Sequence, residues 1–292
     1  MDEVNGGGRT CVHDDMRLCK SPSRSHAFSH VNRGARALLL VVMVSAALLV
    51  GGRALTRRFL FPVHDLRVVP SPHGFTEHRI ATRDGNWARA LELEAAERGR
   101  TVVHFHTNRE TAEGLADLAR ALRARGLGVV LVEYRGYGRS TGDPTEAGIY
   151  ADAEAVLDML GRRGLGADRI VLSGASLGTG VAAEMARRGR GARLVLVTPY
   201  TSIPGVVEDV VPLFPSRIFI EDRFDTLAKA SGIVVPTLVI HGDADEIVPF
   251  WMGERLAQEI RGAVLRRVPG GRHGDLFARD PEIVAVIAAH AS

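Results

Sequence analysis

Hydrophobic and polar positions change their pattern three times along this chain. Residues 1–36 are polar, bear Gly, Ser and Arg and show no sustained periodicity, which predicts a disordered tail. An uncharged apolar run follows over residues 37–52, Ala37 to Gly52, between Arg36 and Arg53. Residues 53–75 carry Pro62, Pro70 and Pro72 and predict a juxtamembrane connector. Over residues 76–292, short apolar runs alternate with amphipathic stretches. The runs His78–Thr82, Thr101–Phe105, Gly128–Glu133, Ile170–Ser173, Leu194–Thr198, Thr237–His241 and Val264–Val268 predict strands. Thr111–Arg125, Ala147–Leu160, Leu177–Arg188, Trp251–Ile260 and Pro281–Ala289 predict the helices between them. Alternation of this kind predicts an α/β domain, a mostly parallel central sheet with helices on both faces and functional loops at the carboxyl ends of the strands.

The rhythm breaks between Pro199 and Pro236. Pro204, Pro212 and Pro215 punctuate an apolar excursion containing Val206, Val207, Val210, Val211, Leu213, Phe214, Ile218 and Phe219. Such residues either pack onto the sheet or form a short cap, residues 199–236, that lines an apolar pocket. The excursion is too short for a large, separately folded lid.

The 16 uncharged residues 37–52 have no polar face, which sets them apart from a core helix of a soluble domain. As a helix they span about 24 Å, short of a hydrocarbon core of about 30 Å, and snorkelling by Arg36 and Arg53 covers the difference. A single-pass N-terminal anchor is the expectation. Val44-Ser45-Ala46 also resembles a signal cleavage site, although cleavage there would cut the apolar run. Basic residues stand on both sides, Arg24, Arg33 and Arg36 before and Arg53, Arg57, Arg58 and Arg67 after, so the side of the membrane stays open.

Composition adds limits. A hydrophobic content of 46% and a net charge of +3 suit a globular domain with a sizeable core. Arginines are scattered, without a basic stripe or interleaved aromatics, so nucleic acid is not an expected partner. Cys11 and Cys19, the only cysteines, precede the apolar run, so the domain has no disulfide and no thiol nucleophile. His104 and His106 alternate along a strand and point to opposite faces, and no cluster has metal-ligand spacing. Gly136-Tyr137-Gly138 reads as a loop turn, and no dinucleotide fingerprint follows an early strand. Neither metal nor cofactor is implied.

The chemistry concentrates at three strand ends. Ser173-Gly174-Ala175-Ser176-Leu177-Gly178 sets a serine in a Gly-x-Ser-x-Gly frame between a strand and a small-residue helix, where a tight turn exposes the hydroxyl. Asp243, Asp245 and Glu246 follow the strand that ends at His241. His273 follows the strand that ends at Val268, in a glycine-rich loop. Serine, acid and histidine in this chain order give a nucleophile, an orienting carboxylate and a general base. His106 and His241, ending apolar strands, read as structural.

With these motifs the chain resembles the α/β-hydrolase family, in particular its small-cap branch of membrane-anchored serine hydrolases, which includes lipid esterases and depalmitoylating thioesterases. The likeness rests on Glu133 to Gly142, Pro144-Thr145-Glu146 with Tyr150-Ala151-Asp152, Gly174 to Gly178, Asp222 to Asp225, His241 to Pro249 and His273-Gly274-Asp275. It covers roughly residues 75–290 and implies the α/β-hydrolase fold. In this branch the acid falls in a His-Gly-x-x-Asp frame, which selects Asp245. By analogy the backbone N–H groups of Leu177 and Asn108 form the oxyanion hole, although Asn108 also suits a helix N-cap. Thr107 stands where the family carries glycine, so a left-handed requirement there would strain the loop.

The resulting expectation is a serine hydrolase cleaving carboxylic esters or thioesters of lipid or acyl substrates, with Ser176, Asp245 and His273 as its triad and a membrane as its partner. A peptidase of the same fold and a catalytically silent hydrolase-fold scaffold are the alternatives.

Overall fold

The computed structural model describes residues 33–63, 66, 69–95 and 99–292. Most of the tail expected over residues 1–36, with Cys11 and Cys19, lies outside the described residues. The chain divides into two units between Ala47 and Leu48.

Helix α1 (Arg33–Leu60) carries the apolar run and does not stop at Arg53, where a connector was expected. It continues for two turns because Arg53 and Arg57 have partners: Arg53 pairs with Glu221 at 2.6 Å and Arg57 with Asp222 at 3.1 Å. Thr56 Oγ1 donates to the carbonyl of Phe219 at 2.9 Å. Gly52 lets the ring of Phe219 approach, since a Cβ there would sit 2.5 Å from it. Gly52, Arg53, Thr56, Arg57 and Leu60 thus share one helical stripe, while Ala54, Leu55, Arg58 and Phe59 stay exposed. Among the described residues α1 is the one helix long and apolar enough to cross a membrane, over Leu38–Leu60.

Eight strands form one sheet: β1 (Thr76–Ala81), β2 (Trp87–Leu93), β3 (Thr101–Phe105), β4 (Gly128–Glu133), β5 (Ile170–Ala175), β6 (Arg193–Val197), β7 (Thr237–Gly242) and β8 (Val264–Val268). Their order is β1-β2-β4-β3-β5-β6-β7-β8, antiparallel from β1 through β4 and parallel thereafter. Of these, β2 was not expected. It pairs with β1 and β4 and buries Arg89, whose guanidinium meets Glu77 at 2.9 Å, Glu113 at 2.6 Å and Glu133 at 3.1 Å.

Helices cover both faces. Val103 and Phe105 of β3 enter one apolar cluster with α3 (Glu146–Arg162), α4 (Leu177–Arg187) and α8 (Phe250–Glu259). Val102 enters the other with α2 (Ala116–Arg123) and α10 (Ile283–Ala291). Successive side chains of a strand fall on opposite faces, and both are buried, so the central strands read as continuous apolar runs. Burying the three apolar residues of β3, Val102, Val103 and Phe105, at roughly 2 kcal/mol each dwarfs any local propensity in deciding that this segment is a strand.

Between β6 and β7 lie three short helices, α5 (Ile203–Val210), α6 (Ser216–Phe219) and α7 (Thr226–Ala230). Ser202 caps α5 by accepting the N–H of Gly205, with Pro204 in the first turn. A four-residue α9 (Leu276–Arg279) follows the last strand before α10.

Candidate active site

Strands β3 and β5 are parallel neighbours in which Phe105 faces Gly174. Two residues past that pair on one strand lies Ser176, and three past it on the other lies Asn108. The crevice between them is a topological switch point, since the chain moves to one side of β3 for β4 and to the other for β5.

Ser176 occupies a strained turn with φ 47° and ψ −116°. The strain persists because the surroundings over-determine it. The serine N–H donates to Val197 at 2.9 Å, and its carbonyl accepts the N–H of Thr179 at 2.9 Å. A Cβ on Gly174 would overlap Gly178, reaching 2.7 Å from the N of Thr179. One on Gly178 would overlap the carbonyl of Phe105 and stand 2.9 Å from that of His106. Both flanking glycines are therefore required by close backbone approach, which holds α4 hard against β3 and aims the serine outward.

The loops after β7 and β8 interlock. Asp243 N–H donates to Val268 at 3.2 Å, and Ala244 N–H donates to Gly271 at 3.0 Å. This contact draws Asp245 and His273 together. His273 Nδ1 donates to Asp245 Oδ2 at 2.8 Å, and its Nε2 lies 3.0 Å from Ser176 Oγ. Proton placement follows from the partners: a carboxylate needs the N–H at Nδ1, which leaves the Nε2 lone pair for the serine hydroxyl.

The three carboxylates of this segment have separate places. The Asp245 side chain is fully buried. Its Oδ1 accepts the N–H groups of Ile247 at 2.9 Å and Val248 at 2.8 Å. Burial opposes its charge, yet hydrogen bonds from His241, His273 and the backbone outweigh it and hold the carboxyl well below the usual range. Asp243 instead pairs with Arg267 at 2.7 Å and accepts Gly270 N–H. Glu246 pairs with Arg272 and accepts the N–H of His273 at 3.3 Å. Both brace the histidine loop from outside.

His241 was expected to be structural, and it has a partner at the site. Its Nε2 donates to Val248 at 3.0 Å and lies 3.3 Å from Asp245 Oδ2. No sequence signal separated this histidine from any other at a strand end.

Leu177 and Asn108 line one pocket with Ser176 and His273. Leu177 opens α4, where an N–H has no intrahelical acceptor. Asn108 caps no helix N-terminus; Thr111 precedes the following 3-10 turn, and the Asn108 side chain donates to Leu60 at 3.1 Å. Thr107 is not left-handed, because Ser176, Thr198 and Phe224 are the non-glycine residues with positive φ among those described. The strain anticipated at Thr107 is absent. Two tyrosines hold this loop: Tyr134 donates to His106 at 2.9 Å and Tyr137 to Asn108 at 3.2 Å. His106 stacks on Tyr134 with ring centroids 4.0 Å apart, and its burial lowers its pKa to about 4, so it stays neutral. Arg135 between the tyrosines is locked by Asp152 at 2.8 Å. The Glu133-to-Gly142 block and Asp152 thus shape the loop that faces the serine.

The pocket has a volume of about 1120 Å³. Leu55 and Phe59 of α1, Ile203, Val206 and Val210 of α5, and Phe214 form much of its wall. Its charged rim is largely paired, Arg53 with Glu221 and Arg57 with Asp222. No group of three His, Cys, Asp or Glu side chains placed to hold a metal occurs among the described residues.

A family model described as serine aminopeptidase, S33, matches residues 96–220. Among solved structures, the esterase Pf2001 of Pyrococcus furiosus superposes with a TM-score of 0.64 at 17% identity, covering 77% of this chain and 97% of that one. Est1E of Butyrivibrio proteoclasticus, solved with ferulic acid bound, gives 0.60 at 18% identity over 73% and 96%. The chain has the α/β-hydrolase fold. An uncharacterised protein of Mycobacterium tuberculosis is 40% identical to this chain over 164 residues, 55% of this chain and 58% of that one. The human alpha/beta hydrolase domain-containing protein 17B is 34% identical over 148 residues, 49% of each. The chain therefore spans only about half the length of the curated relatives it matches.

Proposed function

We propose that this hydrolase is a membrane-anchored serine esterase or thioesterase that acts on lipid or other acyl substrates. The observation that carries the reading is the continuous relay from Ser176 Oγ through His273 to buried Asp245, opening on a large apolar pocket. Ser176 Oγ attacks the acyl carbon while His273 Nε2 takes its proton. Asp245 fixes the imidazole's tautomer and stabilises the imidazolium. Negative charge on the former carbonyl oxygen is met by the N–H groups of Leu177 and Asn108, each such donor being worth about 3 kcal/mol of barrier. The imidazolium then protonates the departing alcohol or thiol, and water, activated by the same histidine, releases the acid from the acyl-enzyme.

Size and polarity support an acyl substrate. A pocket of this volume exceeds what a short ester fills and accommodates a long chain. Burying a chain of that kind yields about 0.8 kcal/mol per CH₂. The apolar stretch of α1 supports an anchored chain, tested by whether carbonate washing leaves the full-length protein in the membrane pellet. A peptidase is the second reading, and the description of the matching family favours it. Against it, Arg53, Arg57 and Glu246 at the rim are committed to other charges, leaving Arg109 and Glu110 as the lining charges without an ion pair among the described residues.

The decisive test is labelling with a fluorophosphonate probe. Wild type should label, and Ser176→Ala and His273→Ala should not. A folded wild type that does not label would favour the silent scaffold.

A further inference from the structure

The loop after β3 offers three successive N–H groups to its surroundings, and two are spoken for. Thr107 N–H donates to Glu110 at 3.3 Å, and Arg109 N–H donates to Thr107 Oγ1 at 3.4 Å. That of Asn108 has no protein acceptor among the described residues. Its direction is set by whatever holds the Asn108 residue. On one side its carbonyl accepts from Tyr137. On the other its side-chain amide reaches 48 residues back along the chain, to the carbonyl of Leu60, 3.1 Å away.

Leu60 ends α1, so its carbonyl is one of the last-turn acceptors that a helix cannot satisfy itself. That carbonyl is also a fixed point. Phe61, next in the chain, is buried and meets Phe224 edge-on with centroids 6.4 Å apart. One and two turns back, the Arg57–Asp222 and Arg53–Glu221 pairs clamp the helix to the segment after α6. Asp222 in turn accepts the N–H of Glu146 at 2.7 Å, and Glu146 accepts that of Phe224 at 2.9 Å. A single amide thus links the free N–H beside Ser176 to a helix end pinned at several places.

We infer that Asn108 is a positioning residue for its own backbone N–H, and that the last turn of α1 is a working part of the active site. The inference rests on the hydrolase reading above, in which that N–H meets the oxyanion. Through the Asn108 side chain, the helix that carries the apolar run also sets the aim of a transition-state donor. Positioning of this kind acts on the tetrahedral species and leaves ground-state binding alone, because the donor faces the oxyanion and not the acyl chain.

The test uses the full-length protein in detergent micelles and p-nitrophenyl butyrate as substrate. Asn108→Asp keeps the shape, loses the donor and sets a carboxylate against the negative end of a helix. It should lower kcat by about 10- to 100-fold, the cost of a misplacement of up to 1 Å, with KM within about twofold of wild type. Affinity for a trifluoromethyl ketone, which forms a tetrahedral adduct on the serine, should fall by the same factor as kcat/KM. Asn108→Ser, too short to reach Leu60, should behave alike and serves if the aspartate variant does not fold. Arg57→Gln should lower kcat in its own right and add little on top of Asn108→Ser, since both loosen one chain of contacts. A folded Asn108 variant with wild-type kcat and unchanged ketone affinity overturns the inference, as does one whose only change is in KM. A wild type that neither turns over the ester nor takes the fluorophosphonate label would instead sink the hydrolase reading beneath it.

Discussion

Replacing Gly178 by alanine should damage the site from a distance of one turn. The added methyl would overlap the carbonyl oxygen of Phe105, with Phe105 C at 2.6 Å and His106 O at 2.9 Å, where ordinary contact begins at 3.4 Å. All three are backbone atoms of the strand end that leads to Asn108, so no side chain can turn aside. Relief requires α4 and β3 to separate by about 1 Å, which moves Leu177 N–H and Asn108 N–H apart and tilts Ser176. Overpacking of this kind costs about 1–3 kcal/mol, a fall of about 2–4 °C in Tm for each kcal/mol in a domain of this size. Misplacement by about 1 Å should lower kcat by about 100-fold. Gly161→Ala is the matched control, the same chemical change in the last turn of α3 with nothing within 4 Å of the new atom. It should raise stability by about 0.4–1 kcal/mol and leave kcat alone. Steady-state hydrolysis of p-nitrophenyl esters with thermal melts of both variants reads the pair. A Gly178→Ala protein with wild-type kcat would refute the claim that backbone approach sets the geometry.

Asp245→Asn should cut kcat by about 10⁴-fold through the wrong histidine tautomer, whereas Asp243→Asn, whose carboxylate meets only Arg267 and Gly270, should stay within about threefold of wild type. Equal losses in esterase assays would mean that the acid is misassigned. Phe59→Ala, removing an exposed wall residue of the pocket, should lower kcat/KM for long-chain esters by about 5- to 10-fold and spare butyrate, as a chain-length series would show. Stability should respond to acid through Glu77, whose hydrogen bond from Arg89 brings its pKa from 4.5 down to about 2. A depressed carboxylate contributes fully above its unfolded value, so Glu77→Gln should lower Tm at neutral pH, and the gap to wild type should close as pH falls from 4.5 to 2. A gap that persists at pH 2 in thermal melts would contradict that account.

The strands whose two faces are both buried were legible, because their apolar runs admit no other use. Gly128–Glu133 falls where its run predicted it, and Ile170–Ala175 extends its run by only two residues; the partly exposed edge strand Val264–Val268 was legible from its apolar ends alone. Strand β2 was not legible. Ala88, Ala90, Leu91 and Glu92 favour helix, and Arg89 in the middle looks like a solvent residue until three carboxylates surround it. Similarly, a charge count ended the apolar helix at Arg53, since sequence does not reveal that Glu221 and Asp222, more than 160 residues away, turn those arginines inward. At the candidate site the serine and histidine could be read from their turns. Choosing among Asp243, Asp245 and Glu246 needed the resemblance to a family, for all three are loop carboxylates within four residues. Only the fold separates a buried acid from two that brace a loop. The contribution of His241 lay beyond sequence altogether, because it depends on where the chain returns after Asp245.

The inward turn of Arg53 and Arg57 bears on membrane thickness. A helix interrupted at Arg53 offers about 24 Å of apolar length, but with both arginines facing the domain its outer surface remains apolar, save Arg58, as far as Phe59. Counted over Leu38–Leu60, the 23 residues give about 34 Å. An anchored chain of this design matches both a thin bilayer of about 27 Å and a thick one of about 33 Å without breaking an ion pair. If the chain is anchored as proposed, Leu55 and Phe59 would lie among headgroups in the thin bilayer and in hydrocarbon in the thick one. Because both also border the pocket, bilayer thickness would, under the proposed anchoring and acyl substrate, select the medium from which the substrate enters.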